Sequence, residues 1–151
     1  MKVLIAYETL SGNTLEVAEL IKGVMESESY EVTLYRIGVQ DPTPILSEYD
    51  IIMMGTYTWG KGQTPKRTKQ FIADIGYKPK NIYIFGTGDT QFGGDDLFCV
   101  ALDKLAKFYN VTYPVLKIEQ SPRGRQESRV IEWAEGVIRN EKVKYGESVN
   151  A

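Results

Sequence analysis

The residues able to do chemistry fall in three short stretches of the chain. The first is Glu8-Thr9-Leu10-Ser11-Gly12-Asn13-Thr14, which carries three hydroxyl side chains and a glycine just ahead of a helical apolar stripe. Where a helix begins, backbone N–H groups lack partners and the helix dipole favours an anion. Hydroxyls add hydrogen bonds to phosphate oxygens. The stretch holds no lysine or arginine, no Gly-Lys-Ser/Thr and no G-x-G-x-x-G. A nucleoside triphosphate loop and a dinucleotide fingerprint are therefore absent. What remains is a phosphate monoester held by dipoles and hydroxyls, or an ordinary helix start capped by Ser11 or Thr14.

The second stretch is Gly55-Thr56-Tyr57-Thr58-Trp59-Gly60-Lys61-Gly62-Gln63-Thr64-Pro65. Trp59 lies between Thr58 and Gly60 rather than among apolar neighbours, which predicts a half-exposed ring. Such a ring can stack on a flat ligand, gaining about 0.5–1.5 kcal/mol beyond its area burial; otherwise it anchors a long loop. The third stretch is Gly86-Thr87-Gly88-Asp89-Thr90-Gln91-Phe92-Gly93-Gly94-Asp95-Asp96. It offers dense glycines around one aromatic, Phe92, and backbone N–H groups that a ligand can approach closely. Alternatively it is a connector in which Asp95 or Asp96 caps the next helix. One phosphate site and two aromatic faces together suit a planar phosphorylated ligand, for which flavin mononucleotide is the natural candidate.

The composition narrows the chemistry. The 151-residue chain has no histidine and one cysteine, Cys99. Nucleophile systems that need histidine, typical zinc sites and an intrachain disulfide are excluded. The net charge of −2 gives no strong basic field for nucleic acid. No apolar run approaches the roughly 18 residues of a membrane span, and the start resembles no signal peptide. A cytoplasmic protein is expected.

The elements that must position the three stretches read as alternating strands and helices. Apolar runs at Val3 to Tyr7, Tyr49 to Gly55, Asn81 to Gly86 and Val111 to Ile118 read as strands, and the middle two are nearly continuous. Strands covered on both faces look like this. Glu31 to Ile37 alternates, as a half-exposed strand near an edge does. Apolar stripes of helical period follow Thr14 and occupy Thr68 to Ile75, Leu97 to Tyr109 and Val130 to Ile138. Pro42 and Pro44 make Val39 to Glu48 mostly loop, with one helical turn at most. Residues 142–151 are polar and read as a fraying tail behind a single domain at 1–141. Strict alternation predicts an α/β fold, a parallel sheet with helices on both faces and ligands at the carboxyl ends of the strands. Each of the three stretches falls at such an end.

These stretches resemble the flavodoxin family over nearly the whole chain. The family's phosphate loop, T-x-[ST]-G-N-T, matches Thr9-Leu10-Ser11-Gly12-Asn13-Thr14. Its tryptophan loop resembles Gly55-Thr56-Tyr57-Thr58-Trp59-Gly60. Its third loop resembles Gly86-Thr87-Gly88-Asp89, then Phe92, then Phe98-Cys99-Val100-Ala101. The last strand runs into Gln120 and Ser121 without a long insertion, as in the short-chain branch. The resemblance implies a three-layer sandwich on a five-stranded parallel sheet of order 2-1-3-4-5. It implies FMN, with Thr9 to Thr14 on the phosphate and the Thr56 to Gly60 loop placing Trp59 on one face of the ring. Phe92 and Gly93 would lie at the other face, and the backbone of Thr87, Gly88 and Asp89 at the pyrimidine edge. It also implies that the carbonyl at Gly60 turns toward flavin N5 when the semiquinone forms.

Three features depart from the family. Phe92 stands where a tyrosine is usual, Lys61 stands where an acid is common, and a charge of −2 is mild for the family. Lys61 would attract the anionic reduced flavin by roughly 1–4 kcal/mol at an effective dielectric near 20, less in solvent. A less negative lower potential is expected. The function implied is that of a monomeric one-electron carrier between an NAD(P)H-dependent flavodoxin reductase and acceptor redox proteins. It would be no enzyme, and would act without nucleic acid, membrane or metal. The alternative implied is a flavodoxin-like activator of manganese ribonucleotide reductase that reacts with oxygen. A quinone or nitro-compound reductase would need a substrate pocket that these short loops do not offer. Asp89, Asp95, Asp96 and Glu48 could dock a basic partner face. Lys61, Lys66, Arg67 and Lys69 form an opposing basic cluster or a solvated helix face.

Overall fold

The computed structural model describes residues 1–59, 62–89 and 98–150, with side chains through residue 146. Five strands, β1 (Lys2–Tyr7), β2 (Glu31–Arg36), β3 (Ile51–Tyr57), β4 (Ile82–Gly88) and β5 (Leu116–Glu119), pair in parallel in the order β2-β1-β3-β4-β5. Four helices connect or follow them: α1 (Asn13–Ser27), α2 (Lys66–Ile75), α3 (Val100–Tyr109) and α4 (Arg125–Asn150). The single helical turn expected in the proline-bearing loop is a short 3-10 segment, Leu46–Glu48.

Successive strand residues point to opposite faces, so each central strand feeds two cores. Val3, Ile5, Met53 and Phe85 pack with Val17, Ile21, Val130 and Val137, which places α1 and α4 on one face. Leu4, Ala6, Met54 and Ile84 pack with Phe71, Leu102 and Leu105, which places α2 and α3 on the other. This double burial is why β1, β3 and β4 are nearly unbroken apolar runs. At the edge, β2 pairs with β1, and its outer residues alternate in exposure as the sequence pattern requires.

Several boundaries move from the expected ones. β3 and β4 extend two residues further, through Tyr57 and Gly88, because Thr56 pairs with Gly86 and Tyr57 with Thr87. Backbone pairing carries these strands past the point where apolar character ends. β5 has four residues rather than the eight expected. Pro114 lacks an N–H to donate, and its carbonyl accepts from Trp133 Nε1 at 2.7 Å, while Tyr113 OH donates to the Trp133 carbonyl. Those bonds turn the segment before Leu116 toward α4. Helix α2 starts two residues early, at Lys66, ahead of the apolar stripe.

The polar tail is also helical. Residues 142–150 continue α4, Lys142 pairs with Glu28 at 3.0 Å, and the Lys144 ammonium lies over the Tyr83 ring. The start of the segment is thus tied to α1 through Lys142 and to the sheet through Lys144. No helix among the described residues is long and apolar enough to cross a membrane.

Candidate functional site

Strand register brings the three loops to one end of the sheet. Tyr7 lies beside Gly55 and Tyr57 beside Thr87, so β1, β3 and β4 finish as neighbours. From β1 the chain crosses one way to β2, and β3 lies on β1's other side. That reversal of direction is where doubly wound folds open a crevice.

The first loop leaves the start of α1 open. Gly12 precedes the helix at φ 96°, a left-handed conformation that a side chain resists, and no side chain caps the helix. Thr9 Oγ1 accepts from the Gly12 N–H at 3.0 Å, which curls the loop back on itself. Leu10 and Ser11 are exposed, and Asn13 is half-buried. The alternative of a Ser11 or Thr14 cap is not realised. Thr14 is instead buried, and its hydroxyl shares a 2.9 Å hydrogen bond with that of Thr87. The first and third loops are thereby tied together through their hydroxyls.

The second loop presents an aromatic face. Trp59 N–H donates to the Gln63 carbonyl at 2.8 Å and Gln63 N–H returns the bond at 2.7 Å. This clasp holds Trp59 while leaving it 52% exposed, with the Tyr57 ring edge-on at 6.3 Å. Thr58 faces away from the loop tip. Its N–H donates to the Thr87 carbonyl at 3.3 Å, and its Oγ1 accepts from the Ala101 N–H at 3.2 Å. Thr56 is buried against Thr68, hydroxyl to hydroxyl at 2.9 Å. Gly60 and Lys61 lie outside the described residues.

In the third loop, Thr87 and Gly88 form the floor. A Cβ at Gly88 would lie 2.9 Å from Cys99 Sγ, so only glycine admits that packing. Asp89 Oδ2 accepts from Gln120 Nε2 at 3.2 Å, and the Gly88 carbonyl accepts from the Gln120 N–H at 2.8 Å. Phe92, Gly93, Asp95 and Asp96 lie outside the described residues.

Burial and charge shape the titratable groups beside the crevice. Burial pushes the Tyr57 phenol upward, the charge of Glu8 adds to this, and Arg67 opposes it. Burial also pushes the Cys99 thiol up to about 12, so it is a neutral packing group near pH 7. No group of histidine, cysteine, aspartate or glutamate residues among those described is arranged to hold a metal ion.

The structure adds residues that loop reading missed. Glu8 is buried and accepts from both the Thr68 N–H at 2.8 Å and the Thr68 hydroxyl at 2.7 Å. A carboxylate from the end of β1 thus satisfies the start of α2, where Pro65 supplies no cap. Its signal in the sequence was a lone acid directly after a fully apolar strand. Lys104 Nζ donates to the Gly62 carbonyl at 2.8 Å, buttressing the tryptophan hairpin from α3. That contact has no local sequence signal, since the partners lie 42 residues apart.

The flavodoxin family model matches residues 5–133. The chain is 35% identical over 138 residues to probable flavodoxin 2 of Bacillus subtilis, covering 86% of this chain and 89% of the relative. It is 32% identical over 133 residues to probable flavodoxin 1 of the same organism, covering 80% and 79%. Oxidised flavodoxin 2 from Bacillus cereus superposes with a TM-score of 0.82 at 30% identity, over 93% of this chain and 99% of that one.

Proposed function

The chain belongs to the flavodoxin family of FMN-binding electron carriers, and from that premise we propose how its own residues hold the cofactor. The open, cation-free start of α1 carries the reading. The turn from Thr9 to Thr14 leaves the N–H groups that open α1 without a side-chain cap, beside the exposed Ser11, and Gly12 gives the turn its left-handed geometry. The phosphate of FMN has the charge that such a helix start favours. Leu10, Ser11, Gly12 and Asn13 form the rim, while Thr9 and Thr14 brace it through Gly12 and Thr87.

Trp59 offers its half-exposed face to the ring system, steadied by the Gln63 clasp and the Tyr57 edge. Thr56 and Thr58 hold the strand end and orient that loop; by the sequence resemblance, Gly60 would face the flavin. Gly88 and Asp89 supply backbone at the pyrimidine edge, with Thr87 as their buried support. By the sequence resemblance, Phe92 and Gly93 would contribute to the outer face. FMN, when bound, supplies one-electron redox chemistry. The protein's part is to bind, to orient and to shield the ring while leaving an edge within reach of partners.

On this reading the protein is a monomeric cytoplasmic carrier with no substrate of its own. An NAD(P)H-dependent flavodoxin reductase loads it and acceptor redox proteins discharge it. The test is an absorption spectrum during stepwise reduction under nitrogen. A flavin band that bleaches in two one-electron stages and recovers slowly in air is expected. Rapid oxygen consumption by the reduced protein would instead favour the oxygen-reacting activator.

A further inference from the structure

The start of α2 inverts the usual placement of charge on a helix. Lys66, Arg67 and Lys69 are exposed in its opening turn, and no acid stands there. Cations at that end oppose the helix dipole. Helix α1 follows the ordinary rule, with Glu16 in its first turn and Glu19 and Glu26 beyond against a single Lys22. No salt bridge neutralises Lys66, Arg67 or Lys69 among the described residues. The carboxylate facing this helix start, Glu8, is buried and bonded to Thr68.

The neighbouring helix extends the same field. On α3, Lys104 reaches the Gly62 carbonyl at the base of the Trp59 hairpin, and Lys107 follows one turn later. The α3 acid, Asp103, is engaged by Lys117 at 2.8 Å. Asp74 of α2 lies at the far end of its helix and accepts from Gln70. A chain of net charge −2 therefore carries a cationic side beside its exposed tryptophan and an acidic α1 on the opposite face of the sheet.

We propose that the α2–α3 side of Trp59 is a docking surface for a protein partner whose own redox centre is ringed by carboxylates. This rests on the electron-carrier reading. Opposed charges there would steer the partner onto the aromatic edge and fix its orientation, acting on encounter rate more than on lasting affinity. A compact carboxylate patch engages this local field within a Debye length of about 8 Å at physiological salt. An extended nucleic acid would meet the acidic remainder of the molecule as well, so a protein partner is favoured.

The test compares the FMN-loaded protein with two triple variants of equal net charge. One carries Lys66→Glu, Arg67→Glu and Lys69→Glu; the other carries Arg125→Glu, Arg129→Glu and Arg139→Glu on the opposite face. In the first arm the reduced protein passes one electron to hexacyanoferrate(III), whose iron goes from III to II. The unmodified protein should react fastest at low salt. The α2 variant should lose about tenfold in rate there and show a reversed salt dependence. At physiological salt, where the Debye length is about 8 Å, the α4 variant should stay within about twofold of the unmodified protein. In the second arm, retention on immobilised poly-L-glutamate is measured, a readout that does not need the flavin. It should vanish in the α2 variant and persist in the α4 variant. Equal behaviour of the two variants, or a rate that rises with salt in the unmodified protein, would overturn the proposal. Stronger retention on a double-stranded oligonucleotide than on poly-L-glutamate would overturn the choice of a protein partner. Loss of the flavin band with poly-L-glutamate binding intact would count against the carrier reading alone.

Discussion

Helices α1 and α2 begin at the same end of the sheet, and neither is capped by a side chain of its own. They differ in what fills the place of the anion. At α2 the protein supplies it, since Glu8 reaches across from β1 to the Thr68 N–H and hydroxyl. At α1 no side chain among the described residues does so, and Gly12 and Thr9 shape the turn. A helix start whose N–H groups the fold leaves uncapped is the one suited to an anion from outside. Helix α3 is a third case, where the residue at the start is Cys99. A helix N-terminus ordinarily favours a thiolate, but burial outweighs it and keeps the thiol neutral.

The contrast can be broken most forcefully at Glu8. Glu8→Ala leaves the Thr68 N–H and hydroxyl without their acceptor, and should cost about 2–3 kcal/mol in urea unfolding. Glu8→Gln keeps an acceptor oxygen and should cost about 1 kcal/mol. Equal losses would mean that packing, not the bonds to Thr68, is what matters at this position. The converse change, Ser11→Glu, places an internal acid at the open α1 start. FMN affinity should fall about tenfold or more, equivalent to about 1.4 kcal/mol, while riboflavin affinity is unchanged. The apoprotein should gain about 0.3–1 kcal/mol from the helix dipole.

The third helix start predicts an alkaline effect. The Cys99 thiol titrates near 9.0 when unfolded and is pushed up to about 12 by burial. Between those values the unfolded chain releases a proton that the native state keeps. Stability should therefore fall as pH rises above about 9, by at most about 1.4 kcal/mol per pH unit from this group. Tyr109, moved by burial from 10.0 to about 12, steepens the fall above pH 10. Cys99→Ala should flatten the slope between pH 9 and 12 in pH-dependent unfolding. The smallest expected effect is the tie between loops. A double-mutant cycle of Thr14→Val and Thr87→Val should give a coupling of about 0.5–1 kcal/mol in apoprotein stability.

Much of this edge was legible from residue order. The glycine turn before α1, the exposed tryptophan and the double burial of β1, β3 and β4 follow from local patterns: hydroxyls around a glycine, an aromatic among polar neighbours, unbroken apolar runs. What stayed hidden depends on contacts between distant segments. Glu8 with Thr68, Thr14 with Thr87 and Lys104 with Gly62 join residues far apart in the chain. Ser11 and Thr14 had the right chemistry to cap α1, and only the turn of Thr14 toward β4 removes it from that role. The short β5 and the long α4 escaped for the same reason. Pro114 and Trp133 decide one, and contacts to Glu28 and Tyr83 hold the other.

On the proposed reading, the start of α1 grips a phosphate ester while Trp59 covers the ring attached to it. Parallel titrations of the apoprotein with FMN and riboflavin, followed by flavin fluorescence, test it directly. FMN should bind at one equivalent, about a hundredfold or more tighter than riboflavin, a difference of about 2.7 kcal/mol. Equal affinity for the two flavins, or no quenching by either, would contradict it.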